Sequence, residues 1–171
     1  GFITAPNRVD VAYSAAQGVL YISGTDQLLR YDMHTNSFLT PITLGGRTLG
    51  MDISPDGKTL AVANSQSDSS HNFVDFVDLQ SGQTKRTTFN LDFYEGGTFT
   101  VAYDKNNKLL VSSQFRGSGW TPLRQYDPAS GNTSIIGSVR QNSMLTPSAD
   151  RSVIAVAESN ISSGSWGAYH A

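Results

Sequence analysis

The sequence has no cysteine. That excludes disulfides and thiolate metal sites, and it removes redox compartment as a clue. Glutamate is nearly missing: only Glu95 and Glu158 stand against twelve aspartates, and four lysines against eight arginines. Glu and Lys are the usual surface residues of helices, whereas Asp, Asn, Ser and Gly belong to turns. The chain is therefore short of helix surface and rich in turn material. No segment keeps a helical period, and no apolar run approaches the ~20 residues that cross a bilayer as a helix. The opening "GFITAPNR" has neither a basic n-region nor a long apolar h-region, so it does not read as a signal peptide. Charge of one sign is lacking too. The net charge is −2 and only 15% of residues are charged, which leaves no electrostatic footprint for nucleic acid.

What is present is a repeat. The stretch "MDISPDGKTLAVANS" (51–65) is matched without gaps by "VAYSAAQGVLYIS", "VAYDKNNKLLVSS" and "LTPSADRSVIAVA". Their turn entries, Ser14, Ser54, Asp104 and Ser148, are spaced by 40, 50 and 44 residues, the range of one recurring supersecondary unit. Five residues after each entry stand Val19, Thr59, Leu109 and Val153; then come Leu20, Leu60, Leu110 and Ile154, always large and aliphatic. Three further on stand Ser23, Ala63, Ser113 and Ala157, always small. A half-exposed strand alternates. These strands are apolar on both faces and need cover on both sides.

A second signature follows in "LLRYDMHTNSF", "FVDFVDLQSGQT" and "PLRQYDPASGNT". An apolar or aromatic residue precedes Asp32, Asp78 or Asp127, and Gly or Asn comes shortly after, which is hairpin-turn chemistry. Each Asp is expected to cap its turn. A further strand closes the unit, giving four strands, A to D, in an up-and-down meander. Repeated four-stranded units of ~40–50 residues, apolar on both faces, predict an all-β β-propeller with four-stranded antiparallel blades.

The second unit resembles the YVTN-type and related lactonase-like propeller repeats. It carries the Ser54-Pro55-Asp56-Gly57 turn, the strand Leu60–Asn64 and the strand Val74–Asp78 leading into a Ser-Gly turn. The first and third units lack the Pro-Asp-Gly, and Gly24 and Gln114 stand where the second has Asn64. No Trp-Asp pair ends a strand, which disfavours the WD-repeat subclass. The blades are expected at 8–45, 46–97, 98–141 and 142–171 of a single domain, 1–171. The last blade is expected to lack its outer strand, so about 3.75 blades are read, as part of a propeller of about six to eight. Two alternatives stay open for that missing strand: closure by the N-terminal "GFITA", or donation by another chain.

Blades place their B–C loops and D-to-A connections on one face, where recognition is normally put. The loops differ between units: "GTDQ", "NSQSDSSHN" (64–72), "QFRGSGWTP" (114–122) and "ESNISSGS" (158–165). The connection "NLDFYEGG" (90–97) is also long. Candidate ligand-binding residues are therefore Phe115, Arg116, Trp120, Asp68, His71, Phe93, Tyr94 and Glu95. Arg and Trp are residue types enriched in binding hot spots. The plainer reading packs Trp120 and the 93–95 aromatics down on the blades and leaves Arg116 solvated. Trp166 reads as structural.

No catalytic residue is assigned: no G-x-S-x-G is present, and no Ser, His and Asp share a recognisable frame. No metal site is assigned either, since His34, His71 and His170 lack paired spacing and the Asp68–His71 loop lacks the carboxylates of a calcium loop. No cofactor is implied. Asn132-Thr133-Ser134 and Asn160-Ile161-Ser162 are glycosylation sequons. The favoured reading is a binding or scaffold propeller of an exported protein, extracellular, at the cell surface or periplasmic, that meets a protein or glycan partner. The alternative is part of an enzyme of lactonase, lyase or quinoprotein type, with its site completed by other blades. Neither needs nucleic acid or a membrane span.

Overall fold

The computed structural model describes residues 2–159 and 164–171. Four sheets follow one another along the chain. The first joins β1 (Val11–Ser14), β2 (Val19–Ile22), β3 (Gln27–Asp32) and β4 (Ser37–Thr43). The second joins β5 (Thr48–Ile53), β6 (Thr59–Ser67), β7 (His71–Asp78) and β8 (Thr84–Asn90). The third joins β9 (Glu95–Tyr103), β10 (Leu109–Phe115), β11 (Trp120–Tyr126) and β12 (Thr133–Arg140). The fourth joins β13 (Met144–Pro147), β14 (Val153–Ala157) and β15 (Trp166–His170). Every strand pairs antiparallel with the next in its sheet. The architecture is an all-β partial β-propeller, with the sheets as blades 1 to 4. The described residues contain no helix, so none is long and apolar enough to cross a membrane.

The two-sided apolar strands are the physical reason for this stacking. On β6, Leu60 and Val62 join a core with Val19, Tyr21 and Leu28 of blade 1. Their neighbours Ala61 and Ala63 join a separate core with Val101, Leu109 and Val111 of blade 3. All four β6 side chains are wholly buried. A third core sets Ala102, Leu110 and Leu123 of blade 3 against Leu145 and Ile154 of blade 4. Each fully buried aliphatic side chain contributes about 1.5–3 kcal/mol.

The repeat holds with one correction. Leu60 and Ile154 face the preceding blade, as equivalent positions should. Leu110 does not: it faces blade 4, and Leu109 takes the place of Leu60. In blade 3 the A–B turn is one residue shorter, with Leu109 paired to Tyr103, whereas in blade 2 Leu60 pairs with Ile53. A one-residue shift exchanges the faces of a strand, so the gapless alignment fails at this turn. Leu20 is only half-buried and pairs with Tyr13, itself 54% exposed, on the outer side of blade 1.

The turns are built as their residues suggest. Ser54 Oγ donates to Asp56 Oδ1 (2.6 Å) and accepts from Thr59 N (2.9 Å), while Gly57 adopts φ 72°. Ser148 and Asp150 repeat the device in blade 4 at 2.7 Å, with Val153 N on Ser148 Oγ at 3.1 Å. Asp32, Asp78 and Asp127 each accept backbone N–H groups two or three residues on, His34, Ser81 and Ala129 among them. Those amides hold all three carboxyls below their ordinary range.

Two segments read as loops are strand instead. β6 runs through Ser67 and β7 starts at His71, so only Asp68–Ser70 turn there; β9 starts at Glu95, so the connection before it is only 91–94. Polar composition hid these extensions because Asn64 and Asn72 donate their amides to partners inside the protein, although Asn72 Oδ1 has no hydrogen-bond partner among the described residues. Asn64 and Asn72 are wholly buried and bonded to neighbouring strands. The N-terminal residues 2–5 do not pair with β15, whose sheet ends at that strand. Asn7, a few residues on, packs its carbonyl against Gly24, where a Cβ would lie 1.8 Å from the oxygen.

Candidate functional site

The B–C loop face of blades 2 and 3 is formed by three short segments: the β6–β7 turn, the β8–β9 connection and the β10–β11 loop (116–119). The first is closed by Asp68, whose Oδ1 accepts from Ser70 N (2.7 Å) and His71 N (2.6 Å). His71 Nδ1 lies 3.3 Å from the same oxygen; Asp68 is exposed and His71 half-buried.

The second segment rests on a buried charge. Glu95 is 1% exposed and Arg124, from β11, 3%. Arg124 Nη1 donates to Glu95 Oε1, and Nη2 donates to Glu95 Oε2 and to the Asn90 carbonyl, both at 2.7 Å. Asn72 adds its amide to Oε1 at 3.0 Å. Burial by itself would raise the Glu95 carboxyl; the Arg124 guanidinium, the Asp92 amide and the Ser113 hydroxyl outweigh it and hold the group below its ordinary value. Glu95 is thus not a free ligand group. Its Oε2 accepts from Asp92 N (2.9 Å) and its own N–H donates to the Asp92 carbonyl (3.1 Å), which fixes the turn 92–95.

That turn presents two aromatic residues. Phe93 is 78% exposed and Tyr94 54%. Tyr94 adopts φ 55°, a left-handed conformation uncommon for a bulky side chain and costing of order 1–3 kcal/mol. It is held there from both sides: its carbonyl accepts from Arg116 N (2.7 Å), and its ring stacks on Phe115 at 6.0 Å. The Phe93 ring meets Tyr94 edge-on at 4.3 Å. Arg116 in turn reaches Ser67 Oγ (3.1 Å) and the Asp68 carbonyl (3.3 Å). Together these segments border an open cup of about 600 Å³, with Ser69, Ser70, Asp92, Phe93, Tyr94 and Arg116 on its wall.

Of the eight candidate residues, seven fall on or beside this cup. Phe93, Tyr94, Glu95 and Arg116 line it, Phe115 backs Tyr94, and Asp68 and His71 shape the adjoining turn. Trp120 does not join them. It is 58% exposed and lines a second groove of about 340 Å³ with Leu123, Ile136 and Trp166. Trp166, expected to be structural, is 83% exposed there. The sequon at Asn160 and most of the fourth loop's tip lie outside the described residues. Among the described residues no group of three or more His, Asp or Glu is placed to hold a metal ion.

Several polar anchors carried no signal in loop composition. Asp75, 4% exposed, pairs with Arg86 Nε at 2.7 Å and accepts from Asn64 Nδ2 at 2.8 Å. Arg86 also donates to the Leu44 carbonyl and lies over the Phe73 ring, 3.8 Å from its centroid. Arg151, in the A–B turn of blade 4, binds Asp52 of β5 at 2.6 and 3.0 Å and the Tyr103 carbonyl at 3.0 Å, tying blade 4 to blades 2 and 3. A buried position that turns charged when repeats are overlaid is the one sequence signal for Asp75 and Arg124.

The fold and this face define a propeller-class protein. No protein-family model matches the chain, and no curated protein sequence matches it. Solved structures do. Hydrazine synthase of Kuenenia stuttgartiensis aligns with a TM-score of 0.68 at 24% identity, over 86% of this chain and 42% of that one. An auxiliary nutrient-binding protein of Bacteroides thetaiotaomicron aligns at 0.71 and 11% identity, over 88% and 35%. XC5397 of Xanthomonas campestris, described as a gluconolactonase, aligns at 0.73 and 11% identity, over 98% and 59%. The chain spans about two-fifths of the hydrazine synthase chain's length. At these identities the likeness is one of fold, and fold does not carry function.

Proposed function

We propose that this chain is the partial propeller of an exported binding or scaffold protein that meets a protein or glycan partner through the B–C loop face of blades 2 and 3. One observation carries the reading: a strained, exposed Tyr94 beside an exposed Phe93, held up by the buried Glu95–Arg124 pair. Strain persists where the surroundings over-determine it, and it clusters at ligand clamps. Exposed aromatics on rigid supports lose little freedom when a partner covers them. The resemblance of the second unit to YVTN-type repeats and the nutrient-binding protein among the structural neighbours support an exported, cell-surface or periplasmic binder.

The test uses purified protein fixed to a sensor surface. Envelope material of the producing organism is passed over it as separate protein and glycan fractions. Retention of one fraction by the wild type, lost in a Phe93→Ser/Arg116→Ala variant of unchanged unfolding midpoint, is the expected result. Retention of neither fraction, or equal retention by the variant, overturns the reading.

A further inference from the structure

We infer that the cup between blades 2 and 3 is a saccharide site, taking the C–H face of a sugar ring on Phe93, with the Tyr94 ring beside it, and its hydroxyls on Ser69, Ser70, Asp92 and Arg116. The inference rests on the binding role proposed above and narrows it to one ligand class.

The chemistry of the wall selects that class. Its apolar part is the half-buried Leu91 and an aromatic rim, where Phe93 and Tyr94 turn ring surface to solvent. Its polar part is the Ser69 and Ser70 hydroxyls, the Asn90 amide, the Asp92 carboxylate and the Arg116 guanidinium, with the Glu95 carboxylate already bound to Arg124 behind them. An apolar protein anchor seated here would strip water from these groups without returning hydrogen bonds, which is costly for each neutral group and more so for each charge. A sugar ring has a C–H face for the aromatics and hydroxyls that both donate and accept. Asp92 is placed to accept: its Oδ1 holds Phe93 N at 2.7 Å, leaving Oδ2 for a ligand hydroxyl. Arg116 is placed to donate: Nη2 is tied to the Ser67–Asp68 turn, leaving Nε and Nη1 for the cup. Serine hydroxyls serve either role.

The cup is also built before any ligand arrives. The Asp68 turn, the Glu95–Arg124 pair and the Arg116–Tyr94 backbone bond fix its three segments. A weakly binding, heavily hydrated ligand gains most from such preorganisation. The volume, about 600 Å³, falls within the roughly 300–1,000 Å³ typical of small-ligand sites.

The test is an array of immobilised neutral oligosaccharides built from glucose, galactose, mannose and N-acetylglucosamine. It is probed with the purified wild type and with Phe93→Ala and Arg116→Ala, each checked for an unchanged unfolding midpoint. An Ile135→Ala variant serves as a control, because that residue is 63% exposed outside the cup. Binding to one sugar class that weakens by at least about tenfold in both cup variants, and not in the control, is the expected result. A silent array overturns the inference, and so does binding that survives in either cup variant. A silent array combined with retention of the envelope protein fraction removes the saccharide and leaves the binding role; silence in both experiments removes both.

Discussion

Asp75 and Arg124 occupy the same position in two successive repeats, each three residues before its turn-capping Asp, and they carry opposite charges. Both are nearly inaccessible, at 4% and 3%. Each is neutralised within its own blade, Asp75 by Arg86 on the outer strand and Arg124 by Glu95 on the inner one. Each pair also holds the segment that enters its blade, through the Leu44 or Asn90 carbonyl. The repeat keeps a buried polar staple here and leaves its sign free.

Breaking one staple is expected to be costly because it strands a buried charge. Arg124→Met leaves Glu95 unpaired and should lower stability by about 3–5 kcal/mol in urea unfolding. Adding Glu95→Leu should recover most of that loss, since both charges are then gone. A double variant no more stable than Arg124→Met would refute the account.

The acid limb of stability follows from the same pair and from the turns. Glu95 is held below its ordinary 4.5, and the Ser148 hydroxyl and the Ser152 amide and hydroxyl lower Asp150 from 3.8 to about 2. A carboxyl whose folded value is depressed stabilises the fold above its unfolded value, and that contribution is lost as pH falls through the folded one. Stability should therefore decline from the ordinary carboxylate range downward and still be falling at about pH 2, where Asp150 is half protonated. Glu95→Gln should make the decline shallower in urea midpoints measured from pH 6 to 2.

Gly97 and Gly137 provide a matched pair within strands. A Cβ at Gly97 would lie 2.3 Å from the Ser65 backbone, where β9 crosses β6; at Gly137 it would meet nothing within 4 Å. Gly97→Ala is expected to cost about 1–3 kcal/mol or more, and Gly137→Ala to be neutral or slightly stabilising. Equal thermal midpoints for the two variants would contradict the close approach of blades 2 and 3.

Leu60 and Leu20 test the stacking. They share a repeat position, but Leu60 is sealed between blades 1 and 2 and Leu20 sits half-buried on an outer face. Leu60→Ala should cost about 2–5 kcal/mol. Leu20→Ala should cost less than half of that in the same denaturation experiment.

The propeller was legible because its signal is periodic. Strands apolar on both sides, Asp-capped turns and a 40–50-residue spacing all read without coordinates, and so did the cluster of candidates at 93–95 and 115–116. The register of blade 3 was not legible, since one residue missing from a turn exchanges Leu109 and Leu110 between faces without changing composition. Nor was the role of Glu95. In the sequence it is one acid between Tyr94 and two glycines; in the fold it is a sealed anchor whose partner stands 29 residues away. Trp120 is close to Arg116 in the sequence and belongs to another groove, because the 116–119 loop turns the chain between them and Trp120, the first residue of β11, stands beside Trp166 of blade 4.

The sequence by itself determined the class of architecture, since a strand with two apolar faces is stable only between two others, and it determined where regularity ends. Tertiary structure alone decided which polar residues are exposed. Asn64, Asn72, Asp75, Glu95 and Arg124 have surface composition and core positions, because blade packing brings each the partners that composition cannot show. The same packing leaves Phe93 and Tyr94, core residues by type, standing in solvent at the rim of the cup.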